Sequence, residues 1–198
     1  MTSNPWMVVK LGGSLQRDPW LPRWLAALTR AGCPVCVVPG GGAFADQVRV
    51  AQAHWRFDDL AAHNMAVLAM AQAGQLMCGL NSALKPAARE GDIGPILRAG
   101  GTPVWLALDL LRERADELTT WDASSDSLAL RLALRLEAAR LVVVKSCAVD
   151  AGLSLARLSE QGVLDRRFPA MAAEATMPIR VIERGALGEF EAELANVS

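Results

Sequence analysis

The stretch Val8-Val9-Lys10-Leu11-Gly12-Gly13-Ser14 decides the fold. The apolar run from Trp6 to Leu11, which overlaps this stretch, is typical of a strand. The two glycines that follow predict a tight turn where the strand ends. Glycine lets backbone N–H groups approach an anion because no Cβ stands in the way, and the lysine adds positive charge. The stretch therefore indicates a phosphate site, with an ordinary strand-to-helix turn as the alternative. A Walker-type loop is excluded, because there the lysine follows the glycines.

A second glycine turn, Gly40-Gly41-Gly42, opens a predicted helix from Ala43 to Ala53. Unpaired N–H groups and the helix dipole make such a helix start favourable for an anion. The turn also matches the dinucleotide pattern G-x-G-x-x-A, but the acidic residue that should end the next strand is missing, because Asp58 and Asp59 start a helix instead. Arg49 lies two turns into the helix and faces either the same anion or solvent.

A polar segment, Thr119 to Ser127, precedes another predicted helix. Ser124 or Ser125 is expected to cap that helix. Capping leaves Asp126 unexplained, and its carboxylate would be able to orient Lys10 through a charge-assisted hydrogen bond.

Lysine is rare in this chain. Of the 20 basic residues, only Lys10, Lys85 and Lys145 are lysines, a bias that genomic base composition would explain. Lys10 and Lys145 nevertheless both follow apolar strand-like runs, which suggests a need for a compact ammonium group rather than a planar guanidinium. Lys145 either reaches a bound phosphate or extends its ammonium from the strand end into solvent.

Strands and helices alternate along the chain, and the strands are continuous apolar runs such as Leu141 to Val144. This pattern predicts an α/β fold, a three-layer α/β/α sandwich with a mostly parallel central sheet. The 198 residues suit one domain over residues 1–198. Ligands bind at the carboxyl ends of strands in such sheets, and both glycine turns fall there.

Three further expectations concern secondary structure. A long helix should begin after the capping residue Asp58 and end near Met77 or Leu80. The stretch Gly91 to Pro95 should interrupt the chain, and Asp109 to Leu118 should be helical.

Composition excludes several classes of protein. The net charge of −1 offers no broad basic surface for nucleic acid or an anionic membrane. No apolar run reaches the roughly 18 residues of a membrane span, and the N-terminus does not resemble a secretory signal. Cys33 and Cys36 have the spacing of a redox or metal motif, but a zinc site needs about four ligands, so no metal site is expected. The cysteines are expected to be buried, reduced thiols. Reduced thiols in turn favour a cytoplasmic location.

The three signals occur in the order and approximate spacing of the amino acid kinase superfamily. The sequence most resembles the [5-(aminomethyl)furan-3-yl]methyl phosphate kinase group of that superfamily, which serves methanofuran biosynthesis. The resembling stretches cover most of the chain: VVKLGGSL (8–15), VVPGGGAFADQVR (37–49), AAHNMAVLAM (61–70), TWDASSDSLAL (120–130) and FPAMAAEATMPIRVIERG (168–185).

The resemblance implies the amino acid kinase fold and a kinase that uses ATP and Mg²⁺. Lys10 and Asp126 would be the catalytic pair, Lys10 on the transferring phosphoryl group and Asp126 positioning Lys10. One set of residues would hold ATP and its phosphates: Gly12, Gly13, Ser14, Lys145 and Asp150. Another set would hold a small-molecule acceptor: Gly40, Gly41, Gly42, Arg49 and His63. His63 is otherwise a polar residue satisfied within a helix interface, and the helix after Asp58 would help to form a homodimer or higher oligomer.

The resemblance is weakest after the late strand. In these kinases that strand usually runs into a Thr-Asp/Lys-Val-Asp-Gly segment, whereas here Lys145 to Gly152 keeps Val149-Asp150, lacks the threonine and displaces the glycine. Lys145 would either compensate or mark a site that no longer uses ATP. The alternative function is therefore a non-catalytic protein on the same fold that binds an anion or nucleotide for storage or regulation.

Overall fold

The computed structural model describes residues 6–195. Within them, six strands form one parallel sheet in the order β3-β4-β2-β1-β5-β6. The strands are β1 (Met7–Leu11), β2 (Val35–Pro39), β3 (Leu84–Ala87), β4 (Thr102–Trp105), β5 (Arg140–Lys145) and β6 (Ile179–Glu183).

Helices connect these strands. The α-helices are α1 (Trp20–Thr29), α2 (Gly42–Trp55), α3 (Asp59–Leu80), α4 (Glu90–Arg98), α5 (Ser125–Arg135), α6 (Leu155–Glu160), α7 (Phe168–Ala172) and α8 (Leu187–Ala195). Short 3-10 helices occupy Gly13–Arg17, Leu108–Leu110 and Arg184–Ala186. None of the helices between residues 6 and 195 is long and apolar enough to cross a membrane.

The core lies on both faces of the sheet. Val8 of β1 packs in a cluster with Leu130 of α5, whereas its neighbour Val9 packs in a second cluster with Leu25 of α1. This alternation follows from the period of two along a strand. Complete burial of one such side chain stabilises the fold by roughly 1.5–3 kcal/mol. The predicted three-layer α/β/α sandwich is confirmed, and its sheet is parallel throughout the described residues.

The strand register brings the site residues together. β1 lies between β2 and β5, and Lys10 pairs with Val38 on one side and Val143 on the other. The carboxyl ends of these three strands therefore meet at one edge of the sheet. The predicted long helix is also confirmed, because the Asp58 carboxylate accepts a hydrogen bond from the Ala61 N–H at 2.8 Å and α3 ends at Leu80.

The predicted interruption at Gly91 to Pro95 is wrong, because α4 runs through it. The Asp92 carboxylate accepts a hydrogen bond from the Arg89 N–H at 2.9 Å and so caps the helix. Ile93 is fully buried against the core. Capping and burial together offset the loss of the one backbone hydrogen bond that Pro95 removes from α4. β3, just before this helix, was not predicted.

The predicted helix from Asp109 to Leu118 is also wrong, because only Leu108–Leu110 forms a single 3-10 turn. Side chains bind the backbone of this segment instead. The Asn64 amide both donates to the Arg112 carbonyl and accepts from the Arg112 N–H, each at 2.8 Å. Such bonds compete with helical ones, so the segment becomes a loop pinned to α3.

The cysteines of the Cys33-Pro34-Val35-Cys36 stretch do not face each other as a pair. Cys36 is buried in β2 and Cys33 is half-buried, and burial raises the pKa of both thiols. Among residues 6–195 there is no group of three or more His, Cys, Asp or Glu side chains that could hold a metal ion.

Candidate active site

The two glycine turns pack backbone against backbone. A Cβ atom on Gly13 would lie 2.2 Å from the amide nitrogen of Gly42, and one on Gly40 would lie 2.4 Å from the amide nitrogen of Gly13. Gly42 also has a φ of +53°, a left-handed conformation that favours glycine. The two turns, 27 residues apart from Gly13 to Gly40, are therefore one structural unit, and both need glycine for the close approach.

Gln16 joins the two turns, a role that sequence reasoning missed. Its amide Nε2 donates to the carbonyls of Gly40 at 3.1 Å and Gly41 at 3.0 Å. Its Oε1 accepts from the Ala43 N–H at 3.2 Å, which satisfies one of the unpaired N–H groups at the start of α2. A lone glutamine after a glycine turn carries no sequence signal, because its partners are set by the tertiary fold.

A buried ion cluster lies at the same sheet edge. Lys10 and Asp126 are 3% and 2% exposed and form an ion pair. Lys145 reaches the other oxygen of the same carboxylate, with its Nζ 2.7 Å from Asp126 Oδ2. Two ammonium groups thus share one carboxylate, and the charge of the Asp165 carboxylate also acts on Lys10.

Electrostatics within the cluster follow from burial and proximity. Burial lowers the pKa of Lys10, although the Asp126 carboxylate opposes this effect. Burial alone would raise the pKa of Asp126, but the charges of Lys10 and Lys145 outweigh it and hold that pKa below its ordinary value. Asp126 is therefore an anion at neutral pH that binds two lysines.

Three chain segments build this cluster. Lys10 comes from β1, Lys145 ends β5, and Asp126 is in the first turn of α5. Ser124 caps α5, since its hydroxyl accepts a hydrogen bond from the Asp126 N–H at 3.2 Å. Of the two predicted capping serines, the structure therefore uses Ser124.

A cleft of about 280 Å³ opens beside the glycine turns. Gly13, Ser14, Gly41 and Gly42 line one side of it. Apolar side chains form much of its wall, among them Ala62, Val67, Met70 and Leu128. Polar side chains also line it, namely Asp46, Arg49, Asp59, His63, Thr120, Trp121, Ser124 and Ser125.

Arg49 and His63 are both held by protein partners at this cleft. The Arg49 guanidinium lies 3.9 Å from the centre of the Trp121 ring, and the Trp121 indole N–H donates to Gln52 at 2.6 Å. His63 Nε2 lies 3.0 Å from the Leu110 carbonyl oxygen. His63 thus combines the two expected possibilities, because it lines the cleft and is satisfied between a helix and a loop.

A second cleft, of about 510 Å³, runs along the edge strand β6, and residues of the segment after β5 form its opposite wall. Asp150 lines it together with Arg180 and Glu183. The Asp150 carboxylate accepts a hydrogen bond from the Gly152 N–H at 2.9 Å and so closes its own turn. Ser146, just after Lys145, is hydrogen-bonded through its hydroxyl to that of Ser14 at 2.5 Å, which connects this loop to the first glycine turn.

Gly12 and Gly40 use their backbone N–H groups within the protein. The Gly12 N–H donates to the Val144 carbonyl at 2.9 Å and is thus used within the sheet. The Gly40 N–H likewise donates to Leu11 at 2.8 Å. Anion contacts from the backbone of these turns would therefore fall to Gly13, Gly41 and Gly42 rather than to Gly12 and Gly40.

Solved structures share this arrangement of sheet and helices. UMP kinase from Bacillus anthracis superposes with a TM-score of 0.73 at 12% identity, over 98% of this chain and 93% of that one. Uridylate kinase from Archaeoglobus fulgidus has a TM-score of 0.72 at 12% identity, over 96% and 95% of the two chains. This chain has the amino acid kinase fold.

A third structure of this fold contains a nucleotide analogue. Carbamate kinase from Giardia lamblia bound to AMP-PNP has a TM-score of 0.59 at 11% identity, over 98% of this chain and 97% of that one. No protein-family model and no curated protein matches the sequence. At such identities the likeness establishes the fold alone.

Proposed function

We propose that this protein is an ATP-dependent phosphotransferase that acts on a small acceptor bearing a phosphate or carboxylate. The observation that carries the proposal is the convergence of Lys10 and Lys145 on the buried carboxylate of Asp126. Lys10 precedes Gly12 by two residues, and Asp126 directly follows Ser125, which lines the first cleft. The Cα of Lys145 would lie 3.8 Å from a Cβ on Gly12. Two ammonium groups held in fixed positions by one carboxylate suit a transferring phosphoryl group.

Phosphoryl transfer requires few catalytic groups from the protein. Phosphoryl transfer depends mainly on alignment and on stabilising charge that develops on the phosphoryl oxygens. Lys10 and Lys145 would supply that charge, and Asp126 would fix their positions without exchanging a proton. A phosphate or carboxylate acceptor is nucleophilic as it stands, so the site needs no side-chain base. A preorganised donor of this kind contributes about 10²- to 10³-fold in kcat.

ATP would occupy the second cleft and reach the first glycine turn with its phosphates. The volume of about 510 Å³ lies within the range of cofactor sites. Gly13 and Ser14 line the first cleft and would hold the phosphates from that side, and the Ser14–Ser146 hydrogen bond joins this turn to the loop that leads to the second cleft. Asp150 would shape the nucleotide site through its bond to the Gly152 N–H rather than through direct contact. Mg²⁺ commonly binds through substrate phosphates, which neutralises charge there, so we expect it to enter as the ATP complex.

The first cleft would take the acceptor. Arg49 and the N–H groups of Gly41 and Gly42 suit a phosphate, and Asp46 and Asp59 suit an ammonium group. An aminomethylfuran phosphate, as in one-carbon cofactor biosynthesis, has both groups and a small planar ring. Its size also agrees with a cleft of about 280 Å³.

The test is ADP release from Mg²⁺-ATP with a panel of small phosphorylated and carboxylated acceptors that includes aminomethylfuran phosphate. We expect turnover with at least one acceptor and a loss of 10²-fold or more in Lys10→Ala. Lys85→Ala is the matched control, because Lys85 is exposed and, within residues 6–195, its ammonium donates to the nearby Ser82 carbonyl at 3.2 Å and lies in neither cleft. Normal turnover in Lys10→Ala would exclude this mechanism.

A second candidate is a non-catalytic protein that binds an anion or nucleotide for storage or regulation. It is supported by Lys145, which is engaged by Asp126, and by Asp150, which is engaged by its own turn. Calorimetry with ATP and with inorganic phosphate discriminates between the two. Tight binding without turnover across the acceptor panel would favour this candidate.

We also propose that the protein assembles as a homodimer or a higher homo-oligomer through α2 and α3. These helices leave large apolar side chains exposed, including Val50 at 63%, Trp55 at 73% and Leu68 at 45%. Such a surface favours burial against a second copy. Sedimentation of Leu68→Glu beside the unchanged protein tests this, and an unchanged mass would contradict it.

A further inference from the structure

Asp165 is a half-buried carboxylate that neither cleft contains. It lies between α6 and α7, 39 residues after Asp126 and 20 after Lys145, and no sequence motif connects it with the ion cluster. Its oxygens nevertheless accept five hydrogen bonds.

Four of these bonds come from the start of α5. Asp165 Oδ2 accepts from the Ser124 N–H and hydroxyl, each at 2.8 Å, and from the Ser127 N–H at 3.0 Å. Asp165 Oδ1 accepts from the Ser127 hydroxyl at 2.6 Å. The two serines bracket Asp126, so a single distant carboxylate holds both sides of the residue that binds the lysines.

Asp165 is itself anchored. Its Oδ1 also accepts from the N–H of Phe168, a fully buried residue, at 2.9 Å, and its carbonyl accepts from the Ser159 hydroxyl at 3.1 Å. A second tie joins the same segments, because the Arg167 N–H donates to the Asp122 carbonyl at 3.0 Å. The segment from α6 to α7 therefore clamps the start of α5 to the core.

We propose that Asp165 is a positioning residue, which holds the start of α5 and thereby keeps the Asp126 carboxylate between Lys10 and Lys145. For its effect on turnover the proposal rests on the proposed kinase function. Its effect on the ion cluster does not depend on any reaction.

The charge of Asp165 acts in the same direction as its hydrogen bonds. Burial lowers the pKa of Lys10, and the carboxylates of Asp126 and Asp165 oppose this and favour the ammonium form. The other charged group acting on Lys10 is the Lys145 ammonium, which lowers the pKa further. Removal of the Asp165 charge would therefore weaken the hold on the Lys10 proton as well as loosen Asp126.

The three lysines make a direct test possible. Because the sequence has three lysines, protein labelled with ¹³C-lysine has three Cε signals in its NMR spectrum. Lys→Arg variants assign these signals. The chemical shift of the Lys10 signal then reports the protonation of its ammonium group. In Asp165→Asn we expect the pKa of Lys10 to fall relative to the unchanged protein, and the signal of the exposed Lys85 serves as the internal reference. Asp92→Asn is the matched control, because it removes another helix-capping carboxylate, one that accepts from the Arg89 N–H at the start of α4 and not from α5.

Turnover gives a second readout. If the kinase function holds, kcat of Asp165→Asn should fall by about 10- to 100-fold, because a small misplacement of the transfer groups has that cost. The KM for ATP should stay within about two-fold, since no residue of α5 lines the second cleft. A purely structural role of Asp165 would lower stability without this separation of kcat from KM.

The outcomes are distinguishable. Lysine titrations that coincide with those of the unchanged protein in a folded Asp165→Asn would overturn the proposal, whatever the activity. A shifted Lys10 titration in a protein without turnover on any acceptor would support it and count against the kinase function. If Asp165→Asn does not fold, Ser127→Ala removes one of the five bonds. Unmoved Lys10 and Lys145 signals in that variant would then overturn the proposal.

Discussion

The ion cluster and the loop after β5 lie at the same edge of the sheet, but they are built differently. Lys10 and Asp126 are almost completely buried, and their partners come from distant parts of the chain. Asp150 and Gly152 are exposed, and they bond to each other within one short turn. A change in the cluster should therefore disturb the whole fold, whereas a change in the loop should stay local.

The largest effect is expected from Asp126→Asn, which leaves two ammonium groups without their carboxylate. Removing one member of a buried ion cluster costs about 3–5 kcal/mol of the free energy of unfolding. Urea denaturation at pH 7 measures it. Asp122→Asn is the control, because the Asp122 carboxylate forms only an exposed pair with Arg166 at 3.5 Å, and such pairs contribute less than about 1 kcal/mol.

The pH dependence of stability gives the same variant a second test. The pKa of Asp126 is below the ordinary 3.8 in the folded protein, since the two lysines favour the carboxylate. Its stabilisation is therefore complete above pH 3.8 and is lost as the pH falls through the lowered pKa. Asp126→Asn should lack this part of the acid-induced loss. If the unchanged protein and Asp126→Asn lost stability identically as the pH falls, the Asp126 carboxylate would be solvated and not bound by the two lysines.

An intermediate effect is expected from Gly13→Ala. The new Cβ would meet the backbone of Gly42 at 2.2 Å, so the two turns must separate, at a cost of about 1–3 kcal/mol in thermal or urea unfolding. Gly79→Ala, in α3, has no atom within 4 Å of the new Cβ and should gain up to about 1 kcal/mol. Equal stabilities for the two variants would contradict the interlocked turns.

The smallest effect is expected from Asp150→Asn. The loop is exposed, and an asparagine oxygen can still accept the Gly152 N–H, so stability should stay within about 0.5 kcal/mol. The affinity for ATP, measured by calorimetry, should change by less than about three-fold, equivalent to well under 1 kcal/mol. A much larger loss of ATP affinity would mean that Asp150 contacts the nucleotide directly. The ion cluster and the loop would then differ in burial but not in their importance for the site.

Sequence reasoning succeeded where the signal was local. The strand before Gly12, the cap at Asp58 and the apolar run of β5 each follow from a few neighbouring residues. It failed where distant side chains took over the backbone. The loop after Asp109 has helical composition, but Asn64 of α3 binds it and no neighbouring residue signals this.

By itself, the sequence determined the alternation of strands and helices and the two glycine turns, and it led to the hypothesis that Asp126 binds Lys10. Periodicity and glycine chemistry act over a few residues, so a linear reading can detect them. The tertiary structure alone decided that the turns interlock through Gln16 and that Lys145 shares the carboxylate of Asp126. It also decided that Asp165 holds the start of α5. These contacts join residues about 20 to 40 positions apart, and only the parallel order of the strands brings them within hydrogen-bonding distance.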